Sequence, residues 1–189
     1  MGGRPDISYG DRFSVRSVRG SEYRLTLLAF GPQQSGLYVR LDDGRIARLD
    51  PERLRWDSYA ALPPQGAPLR PGDQVLVECA SGSLRGKLLE PVAREVALRL
   101  AIGSDVRLPR EEIDELYLLF LASDLQPGDQ VILNSKSGNE YRGTIKALAS
   151  DNRLFIDLRN GGEANLRLSK LDLGSVNVQI PLPVGLIGG

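Results

Sequence analysis

The sequence predicts an all-β protein built of three tandem five-stranded small barrels, on three observations. One phrase recurs, as Gly10-Asp11-Arg12-Phe13-Ser14-Val15, Gly72-Asp73-Gln74-Val75-Leu76-Val77 and Gly128-Asp129-Gln130-Val131-Ile132-Leu133. Each copy is followed by a Ser/Gly-containing turn and then by Tyr23-Arg24-Leu25, Leu84-Arg85-Gly86 or Tyr141-Arg142-Gly143, as one β unit used three times would be. The residues alternate with a period of two, Val131 and Leu133 against Ile132 and Asn134, then Tyr141, Gly143 and Ile145 against Arg142, Thr144 and Lys146, the pattern of half-buried strands. No segment sustains a helical period.

The first two strands of each unit follow from that phrase and its hairpin, for which Ser135-Lys136-Ser137-Gly138-Asn139 has suitable turn chemistry. A third strand is expected at Val39-Arg40-Leu41, Leu98-Arg99-Leu100 and Ile156-Asp157-Leu158, and a fourth at Ala47-Arg48-Leu49, Val106-Arg107-Leu108 and Leu166-Arg167-Leu168. The polar segments after the fourth strand, Asp50-Pro51-Glu52-Arg53, Pro109-Arg110-Glu111-Glu112 and Ser169-Lys170, are too short for an α-helix and suit one 3₁₀ turn. Fifth strands follow at Leu54-Arg55-Trp56, at residues 116–120 and at residues 176–180. Five short strands with a turn before the last imply a strongly bent barrel.

The expected organisation is barrel one over residues 1–60, a proline-rich linker over 61–71, barrel two over 72–122, barrel three over 123–180 and an apolar Pro/Gly tail over 181–189. Prolines at 63, 64, 68 and 71 make the first linker a semi-rigid spacer, whereas residues 122–127 join the last two units closely. Barrels two and three are therefore expected to pair, with barrel one freer to reorient. Residues 116–121 are apolar on both parities, so both faces of that strand are expected to be covered.

Composition narrows the function. Lys plus Arg and Asp plus Glu number 24 each, which gives no global signature of a nucleic-acid or membrane-surface protein. Residues 71–125 hold six basic against ten acidic residues, a poor surface for phosphates. With no histidine, no phosphate loop and no metal-spaced cluster, the chain is expected to be non-enzymatic, with no catalytic residue, cofactor, metal or small-molecule substrate. Cys79 lies on the apolar parity of its strand and is expected to be a buried, inert thiol. The absence of any long apolar run predicts no membrane span and a cytoplasmic location.

The opening Gly-Asp strand, the Gly138-containing hairpin, the Tyr141-Arg142-Gly143-Thr144-Ile145 strand and the turn before the last strand resemble the SH3-like small-barrel superfamily, with its Tudor, KOW and Sm-like branches. The resemblance spans residues 10–57, 72–121 and 128–180, and the Sm-like branch is nearest for the third unit. The Gly-based second Sm motif is missing between Leu168 and Val178. Resemblance to a Tudor barrel would make first-unit aromatics a cage or groove for a cation or peptide.

The candidate contact residues follow. Arg24, Arg85 and Arg142 on second strands and Arg48, Arg107 and Arg167 on fourth strands recur, either as contact points or as partners of Asp11, Asp73 and Asp129. Phe13 and Tyr23 share the core parity, which leaves Tyr38, Trp56 and Tyr59 as the exposed aromatics. Arg12, Arg16, Arg19 and Arg24 cluster around Tyr23 in a pattern suited to single-stranded nucleic acid. The tail residues Pro181, Leu182, Pro183, Leu186 and Ile187 offer an apolar contact to a protein partner or to a second copy. These residues point to a protein-interaction adaptor or structural assembly component, with single-stranded RNA or DNA binding of Sm-like or KOW-like type as the alternative.

Overall fold

The computed structural model describes residues 3–92, 94–121 and 125–183. The chain is all-β, with no α-helix among the described residues. The first repeat forms β1 (Arg12–Ser17), β2 (Glu22–Phe30), β3 (Leu37–Leu41), β4 (Ile46–Leu49) and β5 (Leu54–Ala61). The second forms β6 (Gln74–Cys79), β7 (Gly82–Val92), β8 (Glu95–Leu100), β9 (Asp105–Pro109) and β10 (Ile113–Leu121). The third forms β11 (Gln130–Asn134), β12 (Glu140–Ala149), β13 (Arg153–Leu158), β14 (Glu163–Arg167) and β15 (Asn177–Leu182).

Every repeat uses one pairing scheme. Strands one to four form an antiparallel meander, and strand five returns to pair with strand one: β5 on β1, β10 on β6 and β15 on β11. The sheets are not the closed barrels that the sequence suggests. No ladder joins the fourth strand to the fifth among the described residues; the chain between them turns through 3₁₀ segments at Pro51–Arg53, Arg110–Glu112 and Leu168–Lys170. The bend comes from a register shift at one place in each second strand, between Leu27 and Ala29, Leu88 and Glu90, and Ile145 and Ala147. An extra residue on one strand of a pair bends and twists it.

The recurring Gly-Asp phrase has a local physical cause. Gly10, Gly72 and Gly128 sit at φ +87, +93 and +91, where a Cβ is disfavoured. Asp11, Asp73 and Asp129 then fold a side-chain oxygen back onto the backbone N–H of Ser8, Arg70 and Gln126, each at 2.8 Å. Their carbonyls accept from Leu27, Leu88 and Ile145 at 2.9, 2.8 and 2.9 Å, which fixes where the second strand crosses the first. These aspartates close their own turns, and the recurring Arg24, Arg107 and Arg142 meet Glu22, Glu95 and Glu140.

Gly86 and Gly143 record a second close approach. A Cβ at Gly143 would stand 2.2 Å from the Asp157 carbonyl oxygen, and one at Gly86 2.6 Å from that of Arg99. The first repeat carries Leu25 at this position, paired with Leu41 and fully buried. Its core is Phe13, Val15, Leu25, Leu27, Leu37, Val39 and Leu54, joined by Ile7 from the N-terminal segment.

The chain divides into two compact units, one of residues 3–118 with 181–183, the other Leu119–Ile180. The first unit holds both the first and second repeats. The linker between them is docked. Leu69 is buried, and Pro68 lies 3.5 Å from the position of a Gly10 Cβ. Buried Arg40 donates to the carbonyls of Pro68 and Gly44 at 3.0 Å each and to Asp73 at 2.5 Å. Within the second unit Val131, Leu133, Ile145, Leu154, Ile156, Leu171, Val176 and Val178 are buried. Leu116 to Leu119 are buried on both parities, as the apolar run suggests, while Leu121 is 60% exposed.

Candidate functional site

The strand registers align the three repeats residue by residue and bring out one recurring junction, where the first hairpin meets the 3₁₀ turn. In the first repeat the Val18 N–H donates to the Arg53 carbonyl at 2.8 Å; in the third, Lys136 N–H donates to Lys170 at 2.9 Å. Both hairpins span five residues, 17–21 and 135–139, closed by N–H to carbonyl bonds of 2.8 Å. The second-repeat hairpin is tighter, with Cys79 paired directly to Gly82. One scaffold thus carries three chemistries. The turn bears Glu52 and Arg53 in the first repeat, Glu111 and Glu112 in the second, and Ser169 and Lys170 in the third.

In the third repeat this junction opens into a cleft of about 560 Å³ lined by Ser135, Lys136, Ser137, Tyr141, Leu166, Ser169, Lys170 and Leu171. Backbone bonds shape it: Ser135 bridges Leu171, and the Asp172 N–H donates to the Asn134 carbonyl at 2.8 Å. The Ser135 hydroxyl accepts the Asn139 N–H at 2.9 Å and lies 2.8 Å from that of Ser137, which fixes the hairpin tip. Leu171 is buried and forms part of an aliphatic floor with Leu166. Among the described residues the ammonium groups of Lys136 and Lys170, the Tyr141 phenol and the Ser169 hydroxyl have no hydrogen-bond or ion-pair partner. The cleft offers donors over an apolar base and no nucleophile paired with a base, an arrangement suited to holding a ligand.

The residues singled out from sequence are placed otherwise. Arg16 and Arg24 share one carboxylate, Glu22, at 4.0 and 3.5 Å, and Arg12 is held by Asp42 at 2.8 Å, so two carboxylates offset half the charge of the four arginines; Arg19 alone of the four stays unpaired among the described residues. Tyr38, expected at the surface, is only 2% exposed because Arg48 covers its ring at 5.0 Å and bonds to its hydroxyl. Trp56 and Tyr59 are half-buried against the first core, their rings tilted 39° and 41° to that of Phe13 at centroid distances of 6.4 and 5.3 Å, and the indole N–H donates to the Pro51 carbonyl at 3.0 Å. Trp56 and Tyr59 thus pack on the core of the first repeat with part of each ring at the surface. Tyr23 packs on the same core.

Arg142 is tied to Glu140 at 2.8 Å. The fourth-strand arginines do not all match: Arg48 faces Tyr38 and Arg107 faces Ala97, but the third-repeat equivalent is Asn165, which faces Phe155, while Arg167 lies two residues on, opposite Arg153. Pro181 and Leu182 continue strand β15, with Leu182 buried and Pro181 exposed, so the expected tail begins later than residue 181; Leu186 and Ile187 lie outside the described residues. Cys79 is half-buried at its hairpin, with its thiol donating to the Gly82 carbonyl at 3.1 Å, rather than in the core.

Elsewhere in the third repeat Lys146 and Arg153, like Arg142, meet carboxylates, whereas exposed Arg167 has none among the described residues. Lys146 is hydrogen-bonded to Glu163, which raises the ammonium pKa and lowers that of the carboxyl, and Arg153 meets Asp151 at 3.0 Å. Among the described residues no group of three or more Cys, Asp or Glu side chains could hold a metal ion. No helix among them is long and apolar enough to cross a membrane. Sequence reasoning missed the cleft because its two lysines are far apart in the chain; the signal available was the polar five-residue hairpin, read only as a turn. In comparison with known proteins the chain matches no family model and no curated protein.

Proposed function

We propose that the chain is a non-enzymatic protein-interaction adaptor or assembly component, built from three SH3-like small β units of the Tudor, KOW and Sm-like kind. Three features support the structural part: one strand order used three times, a bend at one bulge in every second strand, and a 3₁₀ turn before every fifth strand. The functional part rests on one observation, the hairpin and 3₁₀ junction whose exposed residues are mixed in charge in the first repeat, acidic in the second and basic with hydroxyls in the third. A scaffold kept constant while its surface groups differ suits an adaptor that holds different segments. The free edges of β4, β9 and β14 add places where a partner strand can pair.

Affinity purification of the full chain from its native source, with and without nuclease, tests this. Protein partners that survive the nuclease are expected. Loss of every partner on nuclease treatment would overturn the adaptor reading in favour of single-stranded nucleic acid, whose binding would fall steeply with salt.

A further inference from the structure

We propose that the third-repeat cleft is a docking site for an acidic peptide segment, one carrying two or more carboxylates beside an aliphatic side chain. The proposal rests on the adaptor reading and gives one of its junctions a ligand class. The backbone bond from Lys136 N–H to the Lys170 carbonyl, 2.9 Å, pins two lysines side by side although 33 residues separate them in the chain. Neither ammonium meets a carboxylate among the described residues, whereas Lys146, Arg142 and Arg153 in the same unit each have one. Two uncompensated like charges rising from joined backbone positions at one cleft form a local positive field that an anionic ligand relieves.

The Tyr141 phenol and Ser169 hydroxyl add two further unpaired donors, while Leu166 and Leu171 supply an apolar base. Carboxylates satisfy the donors and an aliphatic side chain covers the base. At about 560 Å³ the cleft is far roomier than a single inorganic anion needs. Nucleic acid fits less well, because a phosphate backbone calls for a stripe of cations, whereas Lys146, Arg142 and Arg153 of the same unit are each held by a carboxylate and the unpaired Arg167 is not among the residues that line the cleft. In the first repeat the matching positions are Val18 and an Arg53 paired with Asp50 at 3.3 Å, and in the second the turn is acidic, so the specificity belongs to the third repeat alone.

The test is fluorescence anisotropy on the full chain at low salt, with a fluorescein-labelled hexapeptide of alternating glutamate and leucine. Saturable binding is expected. It should weaken at least about tenfold in Lys136→Glu and in Lys170→Glu, a change of about 1.4 kcal/mol or more. Lys136→Ala should weaken it less, and Lys146→Glu, outside the cleft, should leave it intact. Millimolar inorganic phosphate should fail to displace the peptide. Absence of saturable binding would overturn the proposal, as would equal losses in Lys146→Glu and Lys136→Glu, displacement by phosphate, or tighter binding of a labelled oligouridylate. A failure here alongside nuclease-resistant partners would remove the cleft assignment alone and leave the adaptor reading standing.

Discussion

Replacing Arg40 by Met should unlock the first repeat from the second. The guanidinium is 4% exposed and donates to three acceptors: the Pro68 and Gly44 carbonyls at 3.0 Å and the Asp73 carboxylate at 2.5 Å. Methionine fills much of the volume but satisfies none of them, and Asp73, itself only 11% exposed, becomes a buried charge without a counter-ion. Breaking one side of a buried pair in this way costs roughly 3–5 kcal/mol. With a urea m-value of about 2 kcal/mol per molar, the midpoint should fall by roughly 1.5–2.5 M. Trp56 is the sole tryptophan and lies in the first sheet, so its fluorescence follows the unfolding of that sheet during the titration. Adding Asp73→Asn to the Arg40→Met variant should restore part of the loss by removing the stranded charge, while an amide oxygen still caps the Arg70 N–H. A loss under about 1 kcal/mol for Arg40→Met, the range of a surface ion pair, would refute the reasoning. So would a double variant weakened by the full sum of the two single losses.

Two further outcomes follow from the same geometry. Gly143→Ala should destabilise by about 1–3 kcal/mol, since its Cβ would meet the Asp157 carbonyl oxygen at 2.2 Å and force strands β12 and β13 apart; an unchanged urea midpoint would contradict that close approach. Burial pushes the Tyr9 hydroxyl from 10.0 up to about 12, against the lowering effect of Arg40 and with a smaller raising effect of Asp73. Below pH 10 folded and unfolded chains both keep that proton, and between 10 and about 12 only the folded chain does, so its contribution is lost as pH rises through this window. Urea midpoints measured from about pH 9 to about pH 11 should fall, and Tyr9→Phe should flatten the slope.

Much of the local architecture was legible because it is dictated locally. The Gly-Asp phrase marks a turn that needs a positive φ and a short carboxylate, and alternation around Val131 and Tyr141 sets the strands. What stayed hidden depends on groups distant in sequence. Tyr38 reads as a candidate for exposure once Phe13 and Tyr23 are given to the core, yet β3 is buried on both faces and Arg48 closes over the ring. Arg167 looked equivalent to Arg48 from spacing, but strand register, which no local pattern fixes, places Asn165 there instead. The proline-rich linker read as a spacer because nothing near it reveals that Arg40 reaches its Pro68 carbonyl. Lys136 reads as part of a hairpin turn and Lys170 as part of a 3₁₀ turn until the fold joins their backbones.

The claim that this chain acts by holding peptide segments at its hairpin junctions is tested most directly by titrating the isotope-labelled full chain with the glutamate-leucine hexapeptide and following its backbone amides by NMR. Saturating shifts confined to residues 135–141 and 166–171 are expected, abolished by Lys170→Glu. Shifts gathered instead around Arg16, Arg19 and Arg24, or no shifts at a saturating peptide concentration, would contradict it.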